Sequence, residues 1–426
     1  MNQVLLYAYS FLWLLTFVIH VNNTRRAGDN IGVGGVILLF YFIYSIFSIL
    51  VYNGKSYFSE MVKITVFPFI YLYGMEMLFL LPLLKYRSNK TQLYHPKNLL
   101  FFNIIAVFFV VASLIHFPST ISSFREGLYQ IMMDSSGGAD LYAEKMEQSY
   151  HSGGGITNIF AIFSSAFSGL GIMFLFYSFV NKKVNKWIRV GLLLSYLVLL
   201  ISGVSSGQRG LLVEPIYVAI VTYFFFRPYI NSRINRIITT AGIIIIVALS
   251  IPFVALTISR FETANTDVGE SFYYYAGQEN IYFNLYGLDD NGIRYGDRTV
   301  PLFKRMLGYS DVPKNFWERR AKYPHLKIND EVFYTYIGDF TIDFGPLLGT
   351  LIMLLMAFFF YRRTHVQNGQ IKFEQIILLH FLMYMCMVGG LKLFPFSDVA
   401  GNLKIIVYFT AYVLFKYFTI QKKETI

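Results

Sequence analysis

The 426-residue chain has one cysteine, Cys386, and it lies inside an apolar run. A single thiol supports neither a disulfide framework nor a thiolate metal site. Charge is scarce too: 14% of the residues are Asp, Glu, Lys or Arg, against roughly 25% in ordinary soluble domains. That scarcity argues against a water-soluble fold. No Gly-x-x-x-x-Gly-Lys-Ser/Thr loop occurs, and no dinucleotide fingerprint follows a strand, so the sequence offers no seat for ATP-driven chemistry. His325 is the lone histidine of residues 259–332, which leaves no histidine-metal cluster there, and no metal or cofactor is expected. There is no repeat strong enough to argue an inverted-repeat transporter. The first 21 residues have no basic leader region and no small-residue cleavage site, so they read as a retained span.

What is present is apolar. Hydrophobic residues make up 55% of the chain, with 33 tyrosines and 43 phenylalanines, and mean hydropathy is +0.49. Runs of about 20 apolar residues, the length that crosses a hydrocarbon core of roughly 30 Å, recur along the whole sequence. Sliding hydropathy places eleven spans near 2–21, 33–52, 62–84, 98–117, 155–180, 187–203, 211–226, 236–258, 333–361, 374–395 and 402–420. The expected fold is an all-α polytopic membrane protein, one integral membrane domain over residues 1–426.

The net charge of +11 could suggest nucleic acid, but the basic residues gather in alternate short loops. Arg25 and Arg26, Lys85 to Lys97, Lys182 to Arg189, Arg227 to Arg236, Arg362 to Lys372, and Lys422 with Lys423 all fall on one face. By the positive-inside rule that face is cytoplasmic, the N-terminus is outside, the C-terminus inside, and no nucleic acid is expected. Two long segments, 118–154 and 259–332, then lie on the outer face and carry short helices. The first opens with Ile121, Phe124, Leu128, Ile131 and Met132 at helical spacing, which suits a helix lying at the lipid surface. The second has ten basic and eleven acidic residues, so position has to carry any anion binding, not net field.

Two arginines stand at the mouths of spans. In "SSGQRG", Arg209 follows a Gly/Ser break and precedes a helix; Arg260 ends "FVALTIS" and is followed by Glu262. A guanidinium at the membrane boundary needs an anion or many acceptors. Gly207 and Gly210 allow close backbone approach, Ser206 and Gln208 add polar groups, and the arginine fork suits phosphate oxygens. Pairing with Glu214 or Glu262 is the plainer alternative. Arg294, Arg298 and Arg305 are further candidate substrate contacts in the long loop, as is Lys392 at the outer end of span ten. In "SFYYYAGQENIYFNLYG" (271–287), Tyr274 and Gln278 combine an aromatic face with an amide, as sugar rings require; an interfacial aromatic belt accounts for the same residues. Asp339 and Asp343, four residues apart in "YTYIGDFTIDFGPLLGTL", share a helix face entering span nine. They would pair with Arg209 or Arg260, or orient an acceptor hydroxyl as base. Gly345 and Gly349 read as a close helix contact.

Eleven spans, the Ser-Gly-x-Arg-Gly turn, an arginine opening a long outer loop and "GDF..DFG" entering the next span resemble the Wzy-type oligosaccharide repeat-unit polymerases. The resemblance implies a membrane glycosyltransferase of the GT-C type in the bacterial cytoplasmic membrane. Such an enzyme polymerises undecaprenyl-pyrophosphate-linked repeat units into O-antigen, capsule or exopolysaccharide, working in membrane lipid beside a flippase and a chain-length regulator. It implies that Arg209 and Arg260 stabilise the leaving pyrophosphate, with Glu262, Glu279, Asp339 and Asp343 as candidate bases. A ligase would share the same grip on pyrophosphate. A flippase would line a continuous polar path across many spans, whereas charge here gathers at span ends.

Overall fold

The computed structural model describes residues 2–29, 31–54, 58, 62–133, 156–205, 209–261, 268–328, 332–366, 369–418 and 421–423. Among them are fifteen α-helices and a small sheet. Eleven of the helices are long and apolar enough to cross a membrane, so the chain is an all-α polytopic membrane protein. It divides into two compact units: Met1–Pro96 with Tyr273–Ile426, and Lys97–Phe272.

The second unit contains α4 (Leu100–Met133), α5 (Ile156–Val180), α6 (Lys186–Ser205), α7 (Arg209–Phe226) and α8 (Ser232–Phe261). Glycine and serine let these helices approach closely where lipid supplies no hydrophobic drive between them. A side chain at Gly191 would strike Val110, one at Gly171 would strike Phe109, and Ser113 shares a 2.9 Å hydrogen bond with Ser164. Helix α4 runs straight through Pro118 to Met133, so the surface helix expected over 121–132 is the continuation of a span.

The first unit contains α1 (Asn2–Arg26), α2 (Val33–Gly54), α3 (Val66–Lys85), α9 from Tyr273 (Val268–Tyr286 in full), α10 (Pro301–Met306), α11 (Phe316–Lys322), α12 (Thr335–Phe344), α13 (Pro346–Arg363), α14 (Phe373–Leu391) and α15 (Asp398–Tyr417). Helix α14 has no polar stripe and is buried along almost its whole length, with α2, α3, α12, α13 and α15 packed about it. The segment 271–287, expected as outer loop, is instead mostly helix α9, wedged against α2 where Gly277 meets the Phe47–Ser48 backbone. Asn280 receives a hydrogen bond from Tyr9 and donates to Ser48, and Asn284 pairs with the Thr65 backbone, so polar side chains hold α9 together with the buried Ile281 and Phe283.

Strands β1 (Gln92–Pro96), β2 (Gln370–Lys372) and β3 (Gln421–Lys423) form a sheet in the order β2-β1-β3, with Leu93 opposite Ile371 and His95 opposite Lys422. Each strand follows an odd-numbered span: the third, the ninth and the eleventh. Odd spans end on one face, so the sheet is what an eleven-span count requires. It places the loops with Lys85, Arg87, Lys90, Arg362, Arg363 and Lys372 on one end of the unit. The layer of residues 287–328 and 332–334 lies at the other end, where α13 and α15 begin and α14 finishes.

Candidate functional site

Only Pro346–Arg363 forms the ninth spanning helix, so the stretch 333–361, expected as one span, is not continuous. It breaks at Gly345, whose φ of +76° and ψ of 158° belong to backbone that essentially only glycine adopts. Pro346 then starts α13 with its fixed φ and missing donor. The result is a short buried helix, α12, folded back on the first turn of α13. Gly349 is the close contact expected: a β-carbon there would lie 2.6 Å from the Phe340 carbonyl oxygen, whereas Gly345 is the hinge.

Helix periodicity puts Asp339 and Asp343 on one face of α12, and both are fully buried. Among the described residues their partners are Arg294 and Arg298. Arg294 spans the pair, with Nε 2.7 Å from Asp343 Oδ1 and Nη2 3.2 Å from Asp339 Oδ1. Arg298 Nε lies 2.7 Å from Asp339 Oδ1. The remaining carboxylate oxygens are also engaged. Asp339 Oδ2 accepts from the Phe394 amide at 2.7 Å, and Asp343 Oδ2 accepts from the Thr299 amide at 2.6 Å and its hydroxyl at 2.7 Å. Arg294 also donates to the Tyr334 hydroxyl at 2.9 Å. Two guanidiniums and two carboxylates thus form a neutral quartet, with Arg294 1% and Arg298 7% exposed. In low dielectric only a matched, hydrogen-bonded set of charges persists. The quartet joins the loop layer to α12 and to the turn after α14.

A second buried acid extends the lock. Asp297 is paired with Lys304 and, at 2.9 Å, with Lys322, and Tyr323 donates to it at 2.7 Å. Burial alone would raise its pKa; hydrogen bonds from Lys304, Lys322 and Tyr323 outweigh that and hold it below the usual carboxylate range. A depressed native pKa contributes stability above the unfolded value of about 3.9, lost as pH falls through the native value. Protection of the 301–322 amides, taken relative to their intrinsic exchange rates at each pH, is therefore expected to fall in acid, and Asp297→Asn should flatten that dependence. Equal pH profiles for the two proteins would refute it. Arg319 pairs with Asp398 at 2.8 Å, and Asn402 accepts from the Leu302 amide and donates to the Thr299 and Phe396 carbonyls, tying the layer to the start of α15.

Beside the hinge lies a cavity of about 380 Å³, within the size range of small-ligand sites. Its wall combines Asp289, Asp290, Tyr295 and His325 with Gly292, Ile293, Thr341 and Pro346. Lys327 lies 2.8 Å from Asp289, and this pairing lowers the pKa of Asp289, which keeps the carboxylate ionised as a hydrogen-bond acceptor. Asp290 is fixed by the Ile328 amide at 2.6 Å, and Asn291 donates to the His325 carbonyl at 3.0 Å. An ionised carboxylate at Asp289, a second carboxyl group, an imidazole and a phenol ring around a space of this size suit a hydroxyl-rich ring.

Comparison with family models, with curated proteins and with solved structures finds no match to this chain. The remaining expected residues fall as follows. Arg209 is the first residue of α7 and Arg260 is in the last turn of α8, but their side chains lie outside the described residues, as do Ser206, Gln208 and Glu262 entirely. Close approach of Gly203 to the Leu212 backbone brings the ends of α6 and α7 together around that turn. Arg305 donates to the Pro313 carbonyl at 2.7 Å, Tyr274 shares a 3.0 Å hydrogen bond with Tyr282, and Gln278 is buried and accepts from the Phe333 amide. The carbonyl of Lys392 accepts from Thr335. So Arg294, Arg298, Asp339 and Asp343 converge, while Arg305, Tyr274 and Gln278 each serve a separate local contact. In the sequence Asp289 and Asp290 are two adjacent loop acids, a pattern too common to mark a site, and Tyr295 and His325 carry no signal of one. For the quartet a signal did exist: Arg294/Arg298 and Asp339/Asp343 have the same four-residue spacing.

Proposed function

We propose that the chain is a membrane glycosyltransferase that polymerises undecaprenyl-pyrophosphate-linked oligosaccharide repeat units at the outer face of the bacterial cytoplasmic membrane. The single observation carrying this reading is the cavity beside the Gly345 hinge, sugar-sized and lined by apolar side chains together with carboxylates, an imidazole and a phenol, at the end of the bundle opposite the sheet. The basic loops of the sheet end would be cytoplasmic by charge bias, with the N-terminus outside and the C-terminus inside. The cavity then faces outward, where flipped lipid-linked glycans present their sugars. In the reaction, an acceptor hydroxyl attacks the anomeric carbon of the growing glycan. Its proton passes to a base, and the bond to pyrophosphate breaks with the electron pair leaving on the lipid pyrophosphate. Asp289 and His325 are the groups suited to orient and deprotonate the hydroxyl, since the oxygens of Asp339 and Asp343 are already engaged. The resemblance assigns the leaving group to Arg209 and Arg260.

The test is incubation of purified protein with lipid-linked repeat units and analysis of the products by gel. A ladder of two or more repeats with release of lipid pyrophosphate is expected; substrate moved between leaflets unchanged would reject polymerisation. Arg209→Lys should lose most of this activity despite its preserved charge, because lysine has no bidentate fork. Near-normal ladders from that variant would remove Arg209 from the site.

A further inference from the structure

We propose that the turn Met306-Leu307-Gly308-Tyr309, which closes α10, inserts at the boundary between lipid headgroups and acyl chains and fastens the outer layer to the membrane surface. The turn presents the two most exposed large apolar side chains among the described residues of the layer, Met306 at 70% and Leu307 at 78%, with Tyr309 60% exposed beside them. Gly308, with φ of +89°, allows the sharp reversal that sets them at a tip. Lys304 gathers a fourth residue there, donating to the Tyr295 carbonyl at 3.1 Å while its ammonium lies 5.7 Å from the centre of the Tyr309 ring. Tyr295 is itself 64% exposed. Two aliphatic side chains flanked by two tyrosines and a lysine have the composition of interfacial anchors.

Depth identifies the occupant. The Leu302 amide donates to Asn402, the fifth residue of the span Asp398–Tyr417, so α10 lies beside that span's first turn. At 1.5 Å per residue, Asn402 is about 6 Å along the helix from its outer end. Leu307 is five residues beyond Leu302, which leaves the tip level with the lipid interface and not held out in water. On a lysine-flanked turn at this depth, the apolar residues meet lipid before they meet any soluble partner. The anchor would also hold the neighbouring cavity at headgroup level.

The inference is tested with full-length protein carrying Leu307→Cys in a Cys386→Ala background. The new thiol is labelled with NBD, and the protein is reconstituted in phosphatidylcholine–phosphatidylglycerol vesicles containing lipids spin-labelled near the headgroup. A blue-shifted emission is expected, with quenching roughly threefold stronger than for the same label at Ala321→Cys, an exposed position of α11. Met306→Cys should behave as Leu307→Cys does. Water-like emission with quenching no stronger than at Ala321→Cys would overturn the proposal. Blue-shifted emission without lipid quenching, accompanied by energy transfer between labelled copies, would also overturn it in favour of a contact with a second copy of the chain. The readout needs no sugar substrate, so its failure is separable from failure of the glycosyltransferase reading.

Discussion

Replacing Asp343 with alanine is expected to destabilise the first unit by about 3–5 kcal/mol, the cost of stranding a buried charge. The change removes the 2.7 Å ion pair to Arg294 Nε and the acceptor for the Thr299 amide and hydroxyl, all in a fully buried setting. Asp343→Asn keeps an acceptor for Thr299 but not the charge, so an intermediate loss is expected. The double replacement Arg294→Met with Asp343→Leu should recover much of the deficit. It deletes one cation with one anion and leaves Arg298 paired with Asp339. Denaturant or thermal unfolding of the purified proteins in detergent reads these differences. An Asp343→Ala protein within about 1 kcal/mol of the parent would mean the quartet carries little of the layer's attachment.

His325→Ala is expected to reduce polymerisation about 10²–10⁴-fold, the usual contribution of a positioned general base. Its imidazole borders the cavity and packs against Gly292, while the hydrogen bond it receives from Asn291 goes to the backbone carbonyl and survives truncation. Stability should therefore change little, and a unit that unfolds at the parent temperature but makes no ladder is the expected combination. Asp289→Asn, which keeps an acceptor and loses charge, should impair acceptor binding more than turnover. Undiminished ladder formation by His325→Ala would transfer the base role elsewhere or remove the cavity from the reaction.

The paired spacing of Arg294/Arg298 and Asp339/Asp343 shows how far one dimension carries an argument. Charged residues in a membrane segment require partners, and that requirement is readable from "GDFTIDFG" alone. Which arginines supply them is not: Arg209 and Arg260 stand at span mouths, Arg294 and Arg298 lie far along the long loop, and only the fold shows that the second pair reaches the acids. The aromatic segment 271–287 was misleading for a related reason. Its hydropathy is too low for a span, so it reads as loop, yet Asn280, Asn284 and Gln278 find hydrogen-bond partners that let a polar helix pack inside the unit. The break at Gly345 was hidden because α12 and α13 together have the length and greasiness of one span.

By itself the sequence determined the class of the protein and the number of its candidate spans, because hydrocarbon thickness and backbone hydrogen bonding leave a chain this apolar few alternatives. Only the tertiary structure decided which charges neutralise one another, where the ninth span turns back, and that Asp289, Tyr295 and His325 enclose one cavity. Those outcomes depend on contacts between residues tens of positions apart, set by helix packing and not by any local pattern.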